Sequence, residues 1–411
     1  MTSLRWENVR LQDAIEQTGT PALLVSERRL RANVAALREG FAASWPNATL
    51  RYCAKTNPEL GILRVVREEG TDVLTSHAAE VQLALAAGFA PAQIAFQKPI
   101  LDEREVDAVL ALGVRRVHAF RDADLELLSR LAVRRRTTLR ISLRITLGRS
   151  GMRVLAGASR RLGMSVDEAR NVKTRDGLAI DALNTYIGTQ QENVAAFRPA
   201  IRELVKLART FRTIEELNLG GGIPSNSLLR LTPARLLTRR RTGLIEAVSP
   251  RDYARDLGRI FAEEVGDGLR LVMEPGRAIV GNAVVLLTRI AAEQGSWRFL
   301  DCGRNVLVES PLAFTRWIAP LETRGKHAVV KLSGPTLNTL DVVDSGRLLP
   351  EVHRGDVLAI GDAGAYTIAR ATRYAGLSPA VWMHGVDDRL TCIRRPETYA
   401  DFTAPMAGAA D

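Results

Sequence analysis

Eight short apolar runs of β-type residues recur between positions 50 and 273, at 50–54, 72–75, 93–97, 114–120, 138–145, 180–188, 217–220 and 269–273. Helical patterns lie between most of them, at 58–69, 78–87, 102–112, 122–133, 191–210 and 250–265. Strand–helix alternation implies parallel pairing, because each helix carries the chain back to start the next strand on the same side. The count of eight predicts a closed (β/α)8 barrel, with an open doubly wound sheet as the alternative. Ahead of the rhythm come a helix at 13–18, a strand at 21–26 and a helix with Leu30, Val34 and Leu37 on one face. From about Ile279 β-runs follow without regular helices, at 283–290, 297–300, 327–332, 357–360 and 381–384. This class is α/β, with the barrel over 35–281 and a mainly β C-terminal domain over 282–411 joined by 1–34.

Two stretches strain the alternation. Residues 149–163, rich in Gly, Arg and Ser, read as a loop before a helix at 165–171. Residues 228–241, ending in Arg239-Arg240-Arg241, read as a surface insertion, expected to be mobile or to touch an acidic partner.

The formal net charge of +11 raises a nucleic-acid reading. The arginines are scattered, aromatics are 5% of the chain, and no zinc-finger or ribonucleoprotein motif is present, so nucleic acid is excluded as a partner. Cys53, Cys302 and Cys392 are too far apart for a metal-ligand spacing and suit a reducing compartment. Without a run of eighteen apolar residues or an apolar leader after Met1, the expectation is a cytoplasmic enzyme with no membrane span and no metal.

Only six of the 57 Lys and Arg residues are lysine, and one of them, Lys55, closes the first barrel run before an Asn-Pro turn. In a barrel the active site lies at the carboxyl ends of the strands. A lysine there offers an amine that can attack a carbonyl and form a Schiff base, where an arginine cannot; it also reads as a solvated loop residue. The seventh run closes with Gly220-Gly221-Gly222, either a tight turn or a place where backbone amides approach a phosphate. The eighth closes with Glu274-Pro275-Gly276-Arg277, either a surface ion pair or a carboxylate for a ring nitrogen beside a guanidinium for a phosphate. The sixth closes with Tyr186-Ile187-Gly188-Thr189, a stacking aromatic and a hydroxyl, or an ordinary buried tyrosine. Together a Schiff-base lysine, a phosphate cradle, a ring-nitrogen partner and a stacking ring describe pyridoxal 5′-phosphate.

Six segments in order, 52–58 around Lys55, 187–190, 219–222, 274–277, 334–336 with Asp341, and 361–366 ending in Tyr366, resemble the signature of the fold-type III pyridoxal-phosphate-dependent decarboxylases. That group contains the diaminopimelate and ornithine decarboxylases. The resemblance implies an alanine-racemase-like barrel, a homodimer with shared active sites, and an external aldimine that loses the α-carboxylate of an amino acid as carbon dioxide. It implies Lys55 as the aldimine lysine and Glu274 as the pyridine-nitrogen partner. Gly220, Gly221, Gly222, Thr189, Arg277 and Tyr366 follow as phosphate ligands, Gly276 as a further cofactor-binding residue, and Arg144 as a structural arginine of the cofactor site.

Departures from the resemblance bear on the chemistry. Tyr186 stands where the family has a stacking histidine. Leu337 stands where it keeps a proton-donating cysteine from the partner subunit, and Asn338 where it keeps an acidic substrate ligand. Residues 305–311 hold no arginine for diaminopimelate; Glu309 there reads as an amine ligand or a solvated glutamate. The expected activity is decarboxylation of an amino acid or of a conjugated or carrier-linked amino acid. Its variant is decarboxylation with transamination or oxidation to a carbonyl product, since leucine donates no proton. The other readings are a racemase, disfavoured by Glu274, and a non-catalytic homologue that acts as a binding partner.

Overall fold

A computed structural model describes residues 4–147, 161–230, 249–266, 268–307 and 314–406. The chain divides into two compact units, Arg31–Pro224 with Val248–Ile279, and Met1–Leu30 with Ser225–Ala247 and Val280–Asp411.

The first unit is a closed barrel of eight parallel strands. In chain order they are β1 (Ala48–Cys53), β2 (Asp72–Thr75), β3 (Ile94–Gln97), β4 (Arg116–Ala119), β5 (Leu139–Arg144), β6 (Leu178–Asn184), β7 (Glu216–Asn218) and β8 (Arg270–Met273). Each pairs with the next, and β8 closes on β1 with Met273 opposite Leu50. Helices return the chain between most strands, and their ends follow local chemistry. Asp102 accepts a hydrogen bond from the Glu105 amide and starts Glu103–Ala111; Ser249 accepts one from the Asp252 amide and starts Pro250–Val265, whose first residue needs no amide partner. The helix expected over 191–210 is divided. Asn193 caps a 3-10 turn at Val194–Phe197, and Pro199 then opens Arg198–Ala208.

The strands' outward side chains, among them Leu139, Ile141 and Leu143, are buried. Inward positions are unusually polar. Arg51, Arg116, His118, Ser142, Asp181, Asn184, Glu216 and Asn218 are all buried strand residues, in a place where branched aliphatics ordinarily fill the layers. Asp181 sits where the β5–β6 register slips by one residue.

The second unit holds a nine-stranded sheet. Ala22–Ser26, from the start of the chain, lies inside it, antiparallel to Val284–Gln294 and parallel to Ala380–His384. Leu24, Val285, Leu287, Trp317, Leu321 and Ala359 form part of its core. The strand Val342–Leu349 was not expected from its sequence, because Asp344, Ser345 and Gly346 interrupt its apolar run and it lies at the edge of the sheet.

Candidate active site

Lys55 follows β1 in a 3-10 turn, Ala54–Thr56, and is exposed at the carboxyl end of the barrel. The turn is pinned from below: buried Tyr52 donates from its hydroxyl to the Asn57 carbonyl at 2.9 Å, and the Asn57 amide donates to Ala54 at 3.0 Å. Across the barrel closure, the Cys53 amide donates to the Pro275 carbonyl at 3.2 Å. A Cβ on Gly276 would sit 2.0 Å from the Thr56 hydroxyl oxygen, so this glycine lets the segment after β8 lie against the lysine turn.

Glu274 leaves the end of β8 and is buried, its amide donating to Gly220 at 2.8 Å. Its Oε1 accepts from Asn218 Nδ2 at 2.6 Å, while no other described residue hydrogen-bonds its carboxylate. Arg51 Nη1 lies 3.9 Å and His118 Nε2 3.8 Å from the same oxygen. Burial pushes the Glu274 carboxyl above the usual range, against the pull of Arg51, the Asn218 hydrogen bond, Arg144 and Lys55. Burial pushes His118 well below the usual imidazole range, helped by the Arg51, Arg144 and Arg116 charges. The Cys53 thiol is driven up to about 11, first by burial, which rules it out as a thiolate nucleophile at neutral pH.

Gly220 (φ +68°) and Gly222 (φ +108°) turn the chain after β7 in the left-handed region, and a Cβ on Gly222 would stand 2.6 Å from the Gly188 carbonyl oxygen. The Asn218 side chain accepts from the Gly220 amide at 2.8 Å, so one residue braces both the glycine turn and Glu274. Strand β6 ends at Asn184, earlier than the expected 188. Tyr186 is thereby left 42% exposed on the rim, with the Arg144 guanidinium 5.8 Å from its ring centre. Arg144 donates to Asn184 Oδ1 at 2.5 Å and is itself held below the ordinary guanidinium range by burial. Thr189 is half-buried and Arg277 is buried.

The barrel unit therefore brings Lys55, Arg144, Tyr186, Thr189, Gly220, Gly221, Gly222, Glu274, Gly276 and Arg277 to its strand ends. Three expected residues belong to the second unit. Tyr366 is half-buried, at φ +59°, after a segment in which Ser227 donates to Asp362 at 2.5 Å. Leu337 and Asn338 lie on a loop built around buried Asp341, which accepts from the Arg304 amide (2.8 Å), the Thr336 amide (3.0 Å) and the Thr336 hydroxyl (2.7 Å). Asn338 spends its side-chain oxygen on the Leu340 amide at 2.9 Å, and Leu337 is 97% exposed. Glu309 and the arginine run 239–241 lie outside the described residues.

Arg51, His118 and Asn218 were not singled out from sequence. The signal was there as polar residues inside apolar runs, but a single charged residue in a strand reads equally as an outward one. Among the described residues no three His, Cys, Asp or Glu side chains could hold a metal ion, and no helix is long and apolar enough to cross a membrane.

These residues fit a phosphorylated pyridine aldehyde. A primary amine stands at the rim, glycine backbone is folded where side chains do not fit, and a buried carboxylate keeps an oxygen unbonded for a cationic ring nitrogen. Comparison with known proteins gives the same direction. Residues 30–281 match the family described as pyridoxal-dependent decarboxylase, pyridoxal binding domain. The diaminopimelate decarboxylases of Methanothermobacter thermautotrophicus and Archaeoglobus fulgidus are each 26% identical, over 95% and 96% of this chain and 92% and 94% of theirs. The crystal structure of diaminopimelate decarboxylase from Helicobacter pylori complexed with L-lysine superposes with a TM-score of 0.83 at 20% identity, covering 96% of this chain and 98% of that one.

Proposed function

Because the chain belongs to the pyridoxal-dependent decarboxylases, we propose that Lys55 carries pyridoxal 5′-phosphate and that the α-carboxylate of an amino acid, or of a conjugated or carrier-linked amino acid, leaves as carbon dioxide. The observation that carries this reading is Glu274, a buried carboxylate on the rim that holds Lys55, with an oxygen open to a ring N–H. When bound, the cofactor supplies an electron sink for the pair left on the α-carbon. Glu274 holds the proton on the pyridine nitrogen, and Tyr186 offers its ring face. Gly220, Gly221, Gly222, Thr189, Arg277 and Tyr366 serve the phosphate, Gly276 lets the segment after β8 lie against the lysine turn, and Arg144 braces Tyr186 from the β5 end. The functional unit is a homodimer with shared active sites.

The proton for the product carbon comes from Lys55, Tyr186, Tyr366 or water, since Leu337 has none to give. That leucine supports a second reading, in which a carbonyl compound rather than an amine is released. A racemase is disfavoured because an anionic partner for the ring nitrogen strengthens the electron sink that favours carboxylate loss. The substrate panel begins with diaminopimelate, which names the relatives, although residues 305–311 offer no arginine for its second carboxylate.

Purified protein given pyridoxal 5′-phosphate is expected to take on the visible absorption of an imine, and Lys55→Ala to lose it. Protein that stays colourless in excess aldehyde overturns the reading and leaves a non-catalytic homologue. Incubation with an amino acid panel then separates the products: carbon dioxide with an amine, carbon dioxide with a carbonyl compound, or inverted substrate without carbon dioxide.

A further inference from the structure

Below the rim the barrel interior carries charge that the reading above leaves unused. From Glu274 Oε1, Arg51 Nη1 is 3.9 Å away; Arg51 Nη1 is 3.5 Å from Glu216 Oε1, which is 3.7 Å from Arg116 Nη1. Arg116 binds both oxygens of Asp181 at 3.2 and 3.3 Å, and Arg140, nearer solvent, donates to the same carboxylate. Three carboxylates and three guanidiniums thus alternate in one row. Burying ions is expensive, and well-packed apolar residues hold a core at least as firmly. A barrel that needed only packing has no use for the row.

What the row does locally is place a permanent cation within 4 Å of Glu274, a buried rim carboxylate whose one described hydrogen-bond donor is Asn218. The described groups facing Glu274 are Arg51, Asn218, Arg144, Lys55, Cys53 and His118. Asn218 is neutral, and burial holds the Cys53 thiol and His118 uncharged. His118 is fully buried with its Nε2 3.8 Å from the Glu274 oxygen, so it fills space beside Glu274 without adding charge. Arg144 is turned to Asn184 and the Tyr186 ring, and Lys55 is committed to the cofactor on the reading above. Arg51 is left as the cation assigned to this carboxylate, and Glu216 behind it holds the guanidinium in place.

We propose that Arg51 is a positioning residue for the reaction, its guanidinium keeping Glu274 ionised so that the proton shared between Glu274 and the ring nitrogen stays on nitrogen. The proposal rests on Glu274 as the pyridine partner. Without Arg51 the carboxylate takes that proton: the N–H bond breaks, an O–H bond forms, and a neutral pyridine faces a neutral acid. The electron sink is then weaker although every group that touches the cofactor is intact.

The test loads the protein with pyridoxal 5′-phosphate labelled with 15N at the ring nitrogen and follows its NMR shift from pH 6 to 9. Wild type is expected to show a protonated nitrogen. Arg51→Met leaves Glu216 partly unpaired and risks misfolding, so the deciding variant is the charge-balanced R51M/E216Q. In it the protonation midpoint is expected to fall by at least about one pH unit, a tenfold change in proton affinity. Arg51→Lys, which keeps a cation, is expected to retain the wild-type shift, an outcome that loss of packing alone does not produce. Glu274→Gln separates the layers of the argument. If Glu274→Gln deprotonates the nitrogen and R51M/E216Q does not, the role of Arg51 is overturned while Glu274 stands. If neither variant moves the shift, the pyridine-partner reading fails as well.

Discussion

Glu274 and His118 share a space in which each is driven toward its neutral form, the carboxyl upward and the imidazole downward, because neither charge is solvated there. For His118 this makes stability depend on pH. Below its ordinary value of 6.5 the unfolded chain binds a proton on this residue that the folded chain refuses, so stability falls as pH drops through 6.5. Replacing His118 by phenylalanine removes that difference and keeps a ring of similar size in the fully buried position. The loss of stability between pH 7.5 and 5.5, measured by urea unfolding, is expected to be smaller by about 1.4 kcal/mol in His118→Phe than in wild type. At this scale the sequence was informative where a residue type was rare for its setting. Lys55 stood out in an arginine-rich chain, and the Glu-Pro-Gly-Arg segment stood out by spacing. His118 and Arg51 did not, because the face a strand residue takes is decided by barrel closure and by which strands lie opposite.

The elements that carry the rim are short turns whose shape depends on single residues. Gly222 combines φ +108° with a Cβ position 2.6 Å from a backbone oxygen, whereas a Cβ on Gly221 meets the Glu274 carbonyl oxygen at 3.1 Å and the Tyr186 ring at 3.8 Å and needs no left-handed backbone. Gly222→Ala is expected to cost about 2–4 kcal/mol in thermal or denaturant unfolding, and Gly221→Ala clearly less. In the second unit the Leu337 loop depends on Asp341. Asp341→Ala deprives two amides and a hydroxyl of their acceptor and is expected to cost at least about 2 kcal/mol, with faster hydrogen exchange at the Thr336 and Arg304 amides. Helix positions followed apolar spacing closely, with Pro250–Val265 read at its full length. Departures came where side chains compete with the backbone. Asn193 and Pro199 divide one expected helix, and β6 stops at Asn184, two residues short of Tyr186.

At the scale of the whole chain, Ala22–Ser26 pairs with strands more than 250 residues away in sequence. Leu24 is fully buried in that sheet's core, so Leu24→Asp is expected to lower the unfolding midpoint sharply, by the several kcal/mol of an unpaired buried charge, and a fall of less than about 1 kcal/mol would contradict the pairing. The described residues 225–230 group with this β unit and not with the barrel that precedes them in sequence. Strand–helix periodicity, local and additive along the chain, was enough to determine eight parallel strands, the change of architecture near residue 280 and the amine at the end of the first strand. Tertiary structure alone decided which polar strand residues face inward, that a row of opposite charges runs beneath Glu274, and that Ala22–Ser26 pairs antiparallel with Val284–Gln294 and parallel with Ala380–His384. Those facts depend on contacts between distant segments, and the low dielectric of a closed interior gives the charges a strength that no local pattern reveals.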